Sequence, residues 1–125
     1  MAASAAPVIT ERLGRMDKSL LQATWTFTGV ATETGPALSG FAEWADRSVQ
    51  MTGTWNGATV LLEGSLDGTT YLPLTDPQGN NISATADRLE AITELVNYVR
   101  PRCTTGAVTA LTIILLARRA QPLRA

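Results

Sequence analysis

The fold of this chain is decided by residues 47–71, which read RSVQMTGTWNGATVLLEGSLDGTTY. From Ser48 to Trp55 apolar and polar residues alternate, which predicts a β-strand with one apolar and one polar face. Asn56-Gly57 then supplies the two residues that tolerate positive φ in a type I′ hairpin turn, and Asp67-Gly68 forms a second turn. The stretch therefore predicts three consecutive strands joined by two hairpins.

The composition indicates one globular domain with a weakly charged surface. The chain has 125 residues, of which 17% are charged, and its formal net charge is -1. Lys18 is the only lysine, so the broad cationic surface that neutralises nucleic-acid phosphates is missing. We therefore expect no nucleic-acid partner, and a surface of this kind suits a protein that finishes in an assembly.

The cysteine content and the hydropathy of the chain indicate where in the cell the protein is made. Cys103 stands alone, so an internal disulfide is excluded and synthesis in the cytoplasm is the simpler interpretation. Residues 1–6 lack the basic and longer apolar regions of a secretory signal. The longest apolar run, 111–117, is far shorter than the roughly 20 residues that span a bilayer. We expect no membrane partner.

Alternating patterns and turn residues recur along the chain about every ten residues. Further strands are predicted at 21–29, 71–75, 82–86, 96–101 and 108–118. The strand at 108–118 is apolar on both faces, which predicts a position in mid-sheet or against a partner chain. Residues 37–44 fit a short edge strand or an irregular crossing, and 88–95 leave a single helical turn open.

These elements predict an all-β fold, a single antiparallel β-sandwich of jelly-roll or Ig-like topology over residues 19–125. Residues 1–18 are predicted to form an extended N-terminal arm. The natural core is aromatic and consists of Trp25, Phe27, Trp55 and Tyr98. Phe41 and Trp44 lie beside Gly40 in a loop-like segment, where an interface role and burial are equally open.

The sequence lacks the residues of most catalytic sites. It contains no histidine, which excludes Ser-His-Asp and Cys-His arrangements, and Cys103 fits a small buried apolar role. A carboxylate pair for glycoside hydrolysis is not excluded by counting, since four candidate acids are present and the sequence does not give their spatial separation. They are Glu63, Asp67, Glu90 and Glu94. We nevertheless expect no catalytic residues, and hence no enzyme, because most such charges are solvated surface groups.

Metal and cofactor sites are also poorly supported. Zinc and iron lack their usual ligands, and the glycines sit at strand and hairpin positions, without the pattern of a phosphate-binding loop. Calcium is the one metal left open, at a cluster of oxygen-bearing residues that turn chemistry explains equally well. The cluster comprises Asp76, Gln78, Asn80 and Asn81. We expect no metal and no cofactor.

A family resemblance gives these observations a context. The segments 46–55, 57–60, 63–69, 74–80, 98–101 and 115–119 resemble small structural proteins encoded in tailed-phage head modules. The resemblance covers about two-thirds of the chain, judged as a pattern. It implies a β-sandwich virion protein, most like a capsid decoration (cement) protein that often works as a trimer.

A second resemblance competes with the first. The hairpin at 64–71 and the strand at 98–100 are similar to the S-x-D-G hairpin and Y-V-R strand of discoidin-like carbohydrate-binding jelly rolls. These short matches favour the jelly-roll architecture more than sugar binding, because the hairpin pattern is mainly turn and strand chemistry. A carbohydrate-binding module is therefore the alternative function, together with a head-tail connector or tail protein.

The expected function is that of a virion protein, made in the host cytoplasm, that binds the outside of an assembled capsid. Its partners would be the major capsid protein and two further copies of itself. Within the arm, Val8, Ile9 and Leu13 are predicted to anchor on a neighbour, with simple disorder as the equal alternative. Phe41 and Trp44 complete the predicted interface residues.

Overall fold

The computed structural model describes residues 2–3, 8–12, 20–30, 33–40, 42–105 and 108–119. The side chains of residues 2–3, 8–12, 29–30, 33, 105 and 108–109 are outside that description. Within these ranges the secondary structure consists of twelve strands: β1 (Ala2–Ala3), β2 (Val8–Arg12), β3 (Leu20–Val30), β4 (Glu33–Thr34), β5 (Leu38–Ser39), β6 (Asp46–Thr54), β7 (Thr59–Ser65), β8 (Leu72–Pro73), β9 (Ser83–Ala84), β10 (Arg88–Ile92), β11 (Tyr98–Thr105) and β12 (Val108–Arg118).

The strands form two antiparallel sheets that pack face to face. Sheet A has the order β1-β3-β12-β6-β10, with β2 also paired to β3. Sheet B has the order β4-β11-β7-β8, with β5 also paired to β11 and β9 to β7. The predicted antiparallel β-sandwich is confirmed. The apolar strand β12 lies in the middle of sheet A, between β3 and β6, as its two apolar faces predict.

The core lies between the two sheets and is filled by alternate residues of each long strand. Trp25 and Phe27 on β3 are fully buried, as predicted. They pack in one cluster with inward residues of both sheets, among them Met51, Leu62 and Ile113. Full burial of each such side chain contributes about 1.5–3 kcal/mol, so this cluster supplies most of the driving force for the sandwich.

The predicted hairpin between β6 and β7 is wrong. Asn56 and Gly57 do adopt positive φ (46° and 80°), and the Ala58 N–H donates to the Trp55 carbonyl at 2.8 Å, as a tight turn requires. However, β6 pairs with β10 and β12 in sheet A, whereas β7 pairs with β8, β9 and β11 in sheet B. The turn is therefore a corner between sheets, because β6 and β7 each pair with other strands and not with each other.

The pairing also decides the structure of 88–95, which the sequence leaves open, and corrects the predicted core position of Tyr98. The segment 88–95 contains no helical turn, since Arg88–Ile92 is strand β10, paired with β6 at the edge of sheet A. Tyr98 is half-buried rather than part of the core, because the inward residues of β11 are Val99, Pro101 and Cys103. Trp55 is half-buried but packs against the core cluster, and its Nε1 donates to Asp87 Oδ1 at 2.8 Å.

The charged side chain of Arg47 is buried in the sandwich. Arg47 on β6 is 2% exposed, and it donates from Nε to the Trp44 carbonyl (2.6 Å) and from Nη1 to the Val96 carbonyl (3.1 Å). Burial lowers the pKa of Arg47 to about 10, so the side chain is still a cation at neutral pH. The guanidinium thus ties the 44–47 segment of sheet A to the loop that precedes β11.

Candidate binding surfaces

The outer face of sheet A carries a patch of apolar side chains. Strand register brings Leu89 of β10 and Ile114 of β12 to opposite sides of the same β6 residue, Gln50. Leu116 lies next to Ser48 in the following outward row. We call this surface the sheet A patch; it comprises Leu20, Gln22, Ser48, Gln50, Leu89, Ile114 and Leu116.

The patch is well exposed for leucine side chains. Leu89 is 69% exposed and Leu116 is 41% exposed, while Ile114 and Leu20 are half-buried. A shallow depression of about 280 Å³ lies between Leu89, Ile114 and Leu116. At one end an exposed ion pair between Arg118 and Asp46 borders the patch. The polar residues Ser48 and Gln50 of β6 lie between these apolar side chains. Exposed apolar side chains grouped among polar ones are typical of a protein interaction site.

The outer face of sheet B has a different chemistry, built around a buried carboxylate. Glu63 on β7 has a side chain only 5% exposed, and it pairs in register with Arg100 on β11. Arg100 Nε donates to Glu63 Oε1 at 3.1 Å, and Arg102 Nε donates to Oε2 at 3.0 Å. The Arg100 guanidinium also lies 3.7 Å from the centre of the Tyr71 ring. We call these four residues the sheet B cluster.

The loop between β7 and β8 is organised by Asp67. Its Oδ1 accepts hydrogen bonds from the Thr69 and Thr70 N–H groups (2.8 and 2.9 Å) and from the Ser65 hydroxyl (2.8 Å). These bonds, first those from Thr70 and Thr69, lower the pKa of Asp67 to about 2. A depression of about 460 Å³ lies beside this loop, lined partly by Leu66 and Leu72.

The oxygen-rich cluster after β8 is explained by turn chemistry. Asp76 is buried, and its Oδ1 accepts hydrogen bonds from the Gln78 and Asn80 N–H groups, both at 3.0 Å. Its Oδ2 pairs with Arg88 Nη2 at 3.0 Å. The carboxylate that a calcium ion would require is therefore engaged by the backbone and by an arginine.

The remaining acids considered for catalysis also serve local contacts. Glu90 pairs with Arg88 at 3.0 Å, and Glu94 accepts hydrogen bonds from the backbone and hydroxyl of Thr75. Among the described residues, no group of three or more His, Cys, Asp or Glu side chains could hold a metal ion. Cys103 is fully buried in the core. No helix long and apolar enough for a membrane span occurs in the described part of the chain.

The predicted interface residues fall in different places. Val8 and Ile9 belong to β2, where they pair with Thr24 and Ala23 of β3. Leu13 and Phe41 lie outside the described residues. An interface role for these four residues stays a prediction, as does the arm formed by residues 1–18.

Trp44, the fifth predicted interface residue, packs against the core. It is 9% exposed, and the Arg119 guanidinium lies 5.1 Å from its ring centre. Of the two alternatives left open by the sequence, burial describes its position, and an interface role is untested. Among described residues, its Nε1 is the buried side-chain nitrogen without a hydrogen-bond partner.

Sequence reasoning missed the residues that form the two outer surfaces. The sheet A patch had a visible signal, because β12 is apolar on both faces and a partner chain was one explanation for that pattern. The sheet B cluster had a weaker signal, the alternation of Arg100 and Arg102 along one strand. Neither signal shows which neighbouring strands complete the surface.

Comparison with known proteins identifies a likeness of fold. No protein-family model matches the chain, and no curated protein matches it. Among solved structures, the SPBc2 prophage-derived protein YomS has a similar fold. The TM-score is 0.55 and the sequence identity 8%, over 77% of this chain and 94% of that one. At this identity the likeness shows the fold alone.

Two weaker similarities carry no argument. Peruvianin-I, a cysteine peptidase from Thevetia peruviana latex, has a TM-score of 0.45 and 11% identity over 98% of this chain and 70% of that one. A cupin-superfamily sugar phosphate isomerase from Silicibacter pomeroyi has a TM-score of 0.37 and 12% identity over 80% and 51%.

Proposed function

We propose that this chain is a non-enzymatic structural protein of a phage particle that binds the surface of the assembled capsid and stabilises it. The observation that carries the proposal is the sheet A patch. It presents two exposed leucines, Leu89 and Leu116, on a six-stranded sheet whose central strand is fixed on both sides. A rigid surface of this kind loses little conformational entropy when it binds, so most of its burial energy remains available for affinity.

Burial of the sheet A patch would supply a favourable free energy at each contact with the capsid. Full burial of one leucine side chain contributes about 1.5–3 kcal/mol. Docking can still bury the exposed part of each leucine, which is 69% for Leu89 and 41% for Leu116. Among the side chains that the structure describes, the charged groups beside the patch are Arg118 and Asp46, which are paired with each other. Docking therefore does not require the desolvation of an unpaired charge.

The phage context is supported by two similarities of different kinds. The first is the fold of the prophage-derived protein YomS, which matches 77% of this chain. The second is the resemblance of segments such as 46–55 and 63–69 to small structural proteins of tailed-phage head modules. The capsid decoration role is the finer part of the proposal and derives from the second similarity.

The proposed mechanism is additive binding to a symmetric lattice. Each copy, as part of a homotrimer, bridges neighbouring subunits of the major capsid protein on the virion surface. Because it binds the assembled form and not the separated subunits, mass action shifts the equilibrium toward the assembled capsid. The weakly charged surface allows copies to lie close together.

Copy number tests the proposal. Particles that lack the protein are titrated with the purified chain, and bound copies are quantified against the major capsid protein after sedimentation. A decoration protein saturates at on the order of hundreds of copies per particle, because the capsid lattice repeats its site. Saturation at about a dozen copies would instead indicate a connector ring, and absence of binding would contradict the proposal.

A further inference from the structure

The sheet B cluster leaves hydrogen-bonding capacity unused on two arginines. Arg100 and Arg102 each contact Glu63 through Nε alone, so one carboxylate occupies one N–H of each guanidinium. Among the described residues, the terminal nitrogens of both arginines have no hydrogen-bond partner. Each terminal edge can therefore still donate to a further acceptor.

The two guanidinium groups are held in place before any ligand arrives. Glu63 anchors both through its two oxygens, and the Tyr71 ring supports Arg100 at 3.7 Å. Their strand, β11, is paired with β7 on one side and with β4 and β5 on the other. Their side chains remain 29% and 42% exposed. Because the folded protein already restrains both arginine side chains, they lose little further conformational entropy when a ligand binds.

The charge of the cluster selects an anion. Two arginine cations outweigh the single Glu63 anion, so the surface keeps a positive charge although the chain as a whole carries -1. Arginine edges match the geometry of a carboxylate, which can accept two parallel hydrogen bonds from one guanidinium. A nucleic acid requires a longer cationic track, and the sequence has a single lysine.

We propose that Arg100 and Arg102 form a docking site for the carboxylate side chains of an acidic segment of a partner protein. The site lies on the outer face of sheet B, on the opposite side of the sandwich from the sheet A patch. Both surfaces can therefore be occupied at once. This inference rests on the geometry of the arginines and does not depend on the proposed capsid role.

In the test, the full chain is titrated with a hexaglutamate peptide at low ionic strength, and binding is monitored by NMR. The Nε–H signals of Arg100 and Arg102 should shift on addition of hexaglutamate, while hexaglutamine should leave them unchanged. R102Q should weaken binding about tenfold, because a charge-assisted hydrogen-bonding edge is lost. R118Q is the matched control: it removes the same charge from sheet A and should retain the wild-type affinity.

A second substitution separates binding from folding. R102K retains the positive charge beside Glu63 but lacks the planar edge, so its affinity should fall between those of the wild type and R102Q. Thermal unfolding of each variant establishes that the fold is intact at the titration temperature. The proposal is overturned if the wild type does not bind hexaglutamate, if R118Q weakens binding as much as R102Q, or if a six-residue thymidine oligonucleotide binds more tightly than the peptide.

Discussion

Two turns of similar sequence flank β7, Asn56-Gly57 before it and Asp67-Gly68 after it, but they connect different strands. Asp67-Gly68 lies in a loop that returns the chain to the same sheet, where β8 pairs with β7 through Leu72 and Gly64. Asn56-Gly57 instead leads from β6 in sheet A to β7 in sheet B. A local turn conformation thus reverses the direction of the chain but does not determine which strands pair with each other.

The corner follows a close backbone contact at Gly53, three residues before Asn56. Gly53 has φ +137°, and a Cβ placed on it would lie 2.0 Å from the Ala110 carbonyl oxygen of β12. Its N–H donates to Asp87 Oδ1 at 3.2 Å, outside the strand ladder. The close approach to β12 fixes the end of β6 in sheet A. The corner also separates the two candidate surfaces, since β6 contributes to the sheet A patch and β7 to the sheet B cluster.

The largest effect should come from filling the space at Gly53. G53A places a methyl group against backbone that cannot move aside, in a conformation that alanine rarely adopts. We expect a loss of at least about 3 kcal/mol in the free energy of unfolding. Urea denaturation measures it. A loss below about 1 kcal/mol would show that the contact between Gly53 and Ala110 does not determine the corner.

Gly68 should show a smaller effect, because its neighbour is a side chain. A Cβ there would lie 2.9 Å from the Tyr98 ring, and φ is +78°. The half-buried ring can shift, so G68A should cost about 1–2 kcal/mol, most of it from the backbone conformation. A change in the near-ultraviolet circular dichroism of the tyrosines should accompany the loss, and an unchanged spectrum would argue against the ring contact.

Gly57 is the matched control for both substitutions. Its φ is +80°, and a Cβ there would meet nothing within 4 Å. G57A therefore isolates the conformational cost alone, which we expect to be about 1 kcal/mol in the same urea titration. If G57A destabilised the protein as much as G53A, steric contact would not distinguish the two positions.

The smallest effect should appear at Asp67 and should depend on pH. Folding lowers the pKa of this carboxyl from 3.8 to about 2, so the folded state binds the proton less tightly than the unfolded state. Its stabilisation is therefore present above pH 3.8 and is lost as the pH falls toward 2. The difference in Tm between the wild type and D67N should shrink over that interval. A constant difference from pH 6 to pH 2 would contradict the assignment.

Sequence patterns predicted the strands well, because alternation and turn residues are local properties. They correctly predict the burial of Trp25 and Phe27 and the mid-sheet position of β12. They predict the wrong face for Tyr98, since alternation divides a strand into two sets of residues without showing which set points inward. The sheet A patch depends on β10 and β12 flanking β6, a long-range pairing that local patterns do not contain.

Two leucine variants test the proposed docking of the chain on a capsid through the sheet A patch. L89D places a charge in the patch, while L66D places the same charge at an equally exposed leucine of the β7–β8 loop (69% and 68% exposed). Each is titrated onto particles that lack the protein, and occupancy is measured against the major capsid protein. If the sheet A patch is the docking surface, L89D should bind at least about tenfold more weakly than the wild type, and L66D should bind like the wild type. Equal occupancy by the two variants would contradict the proposed docking.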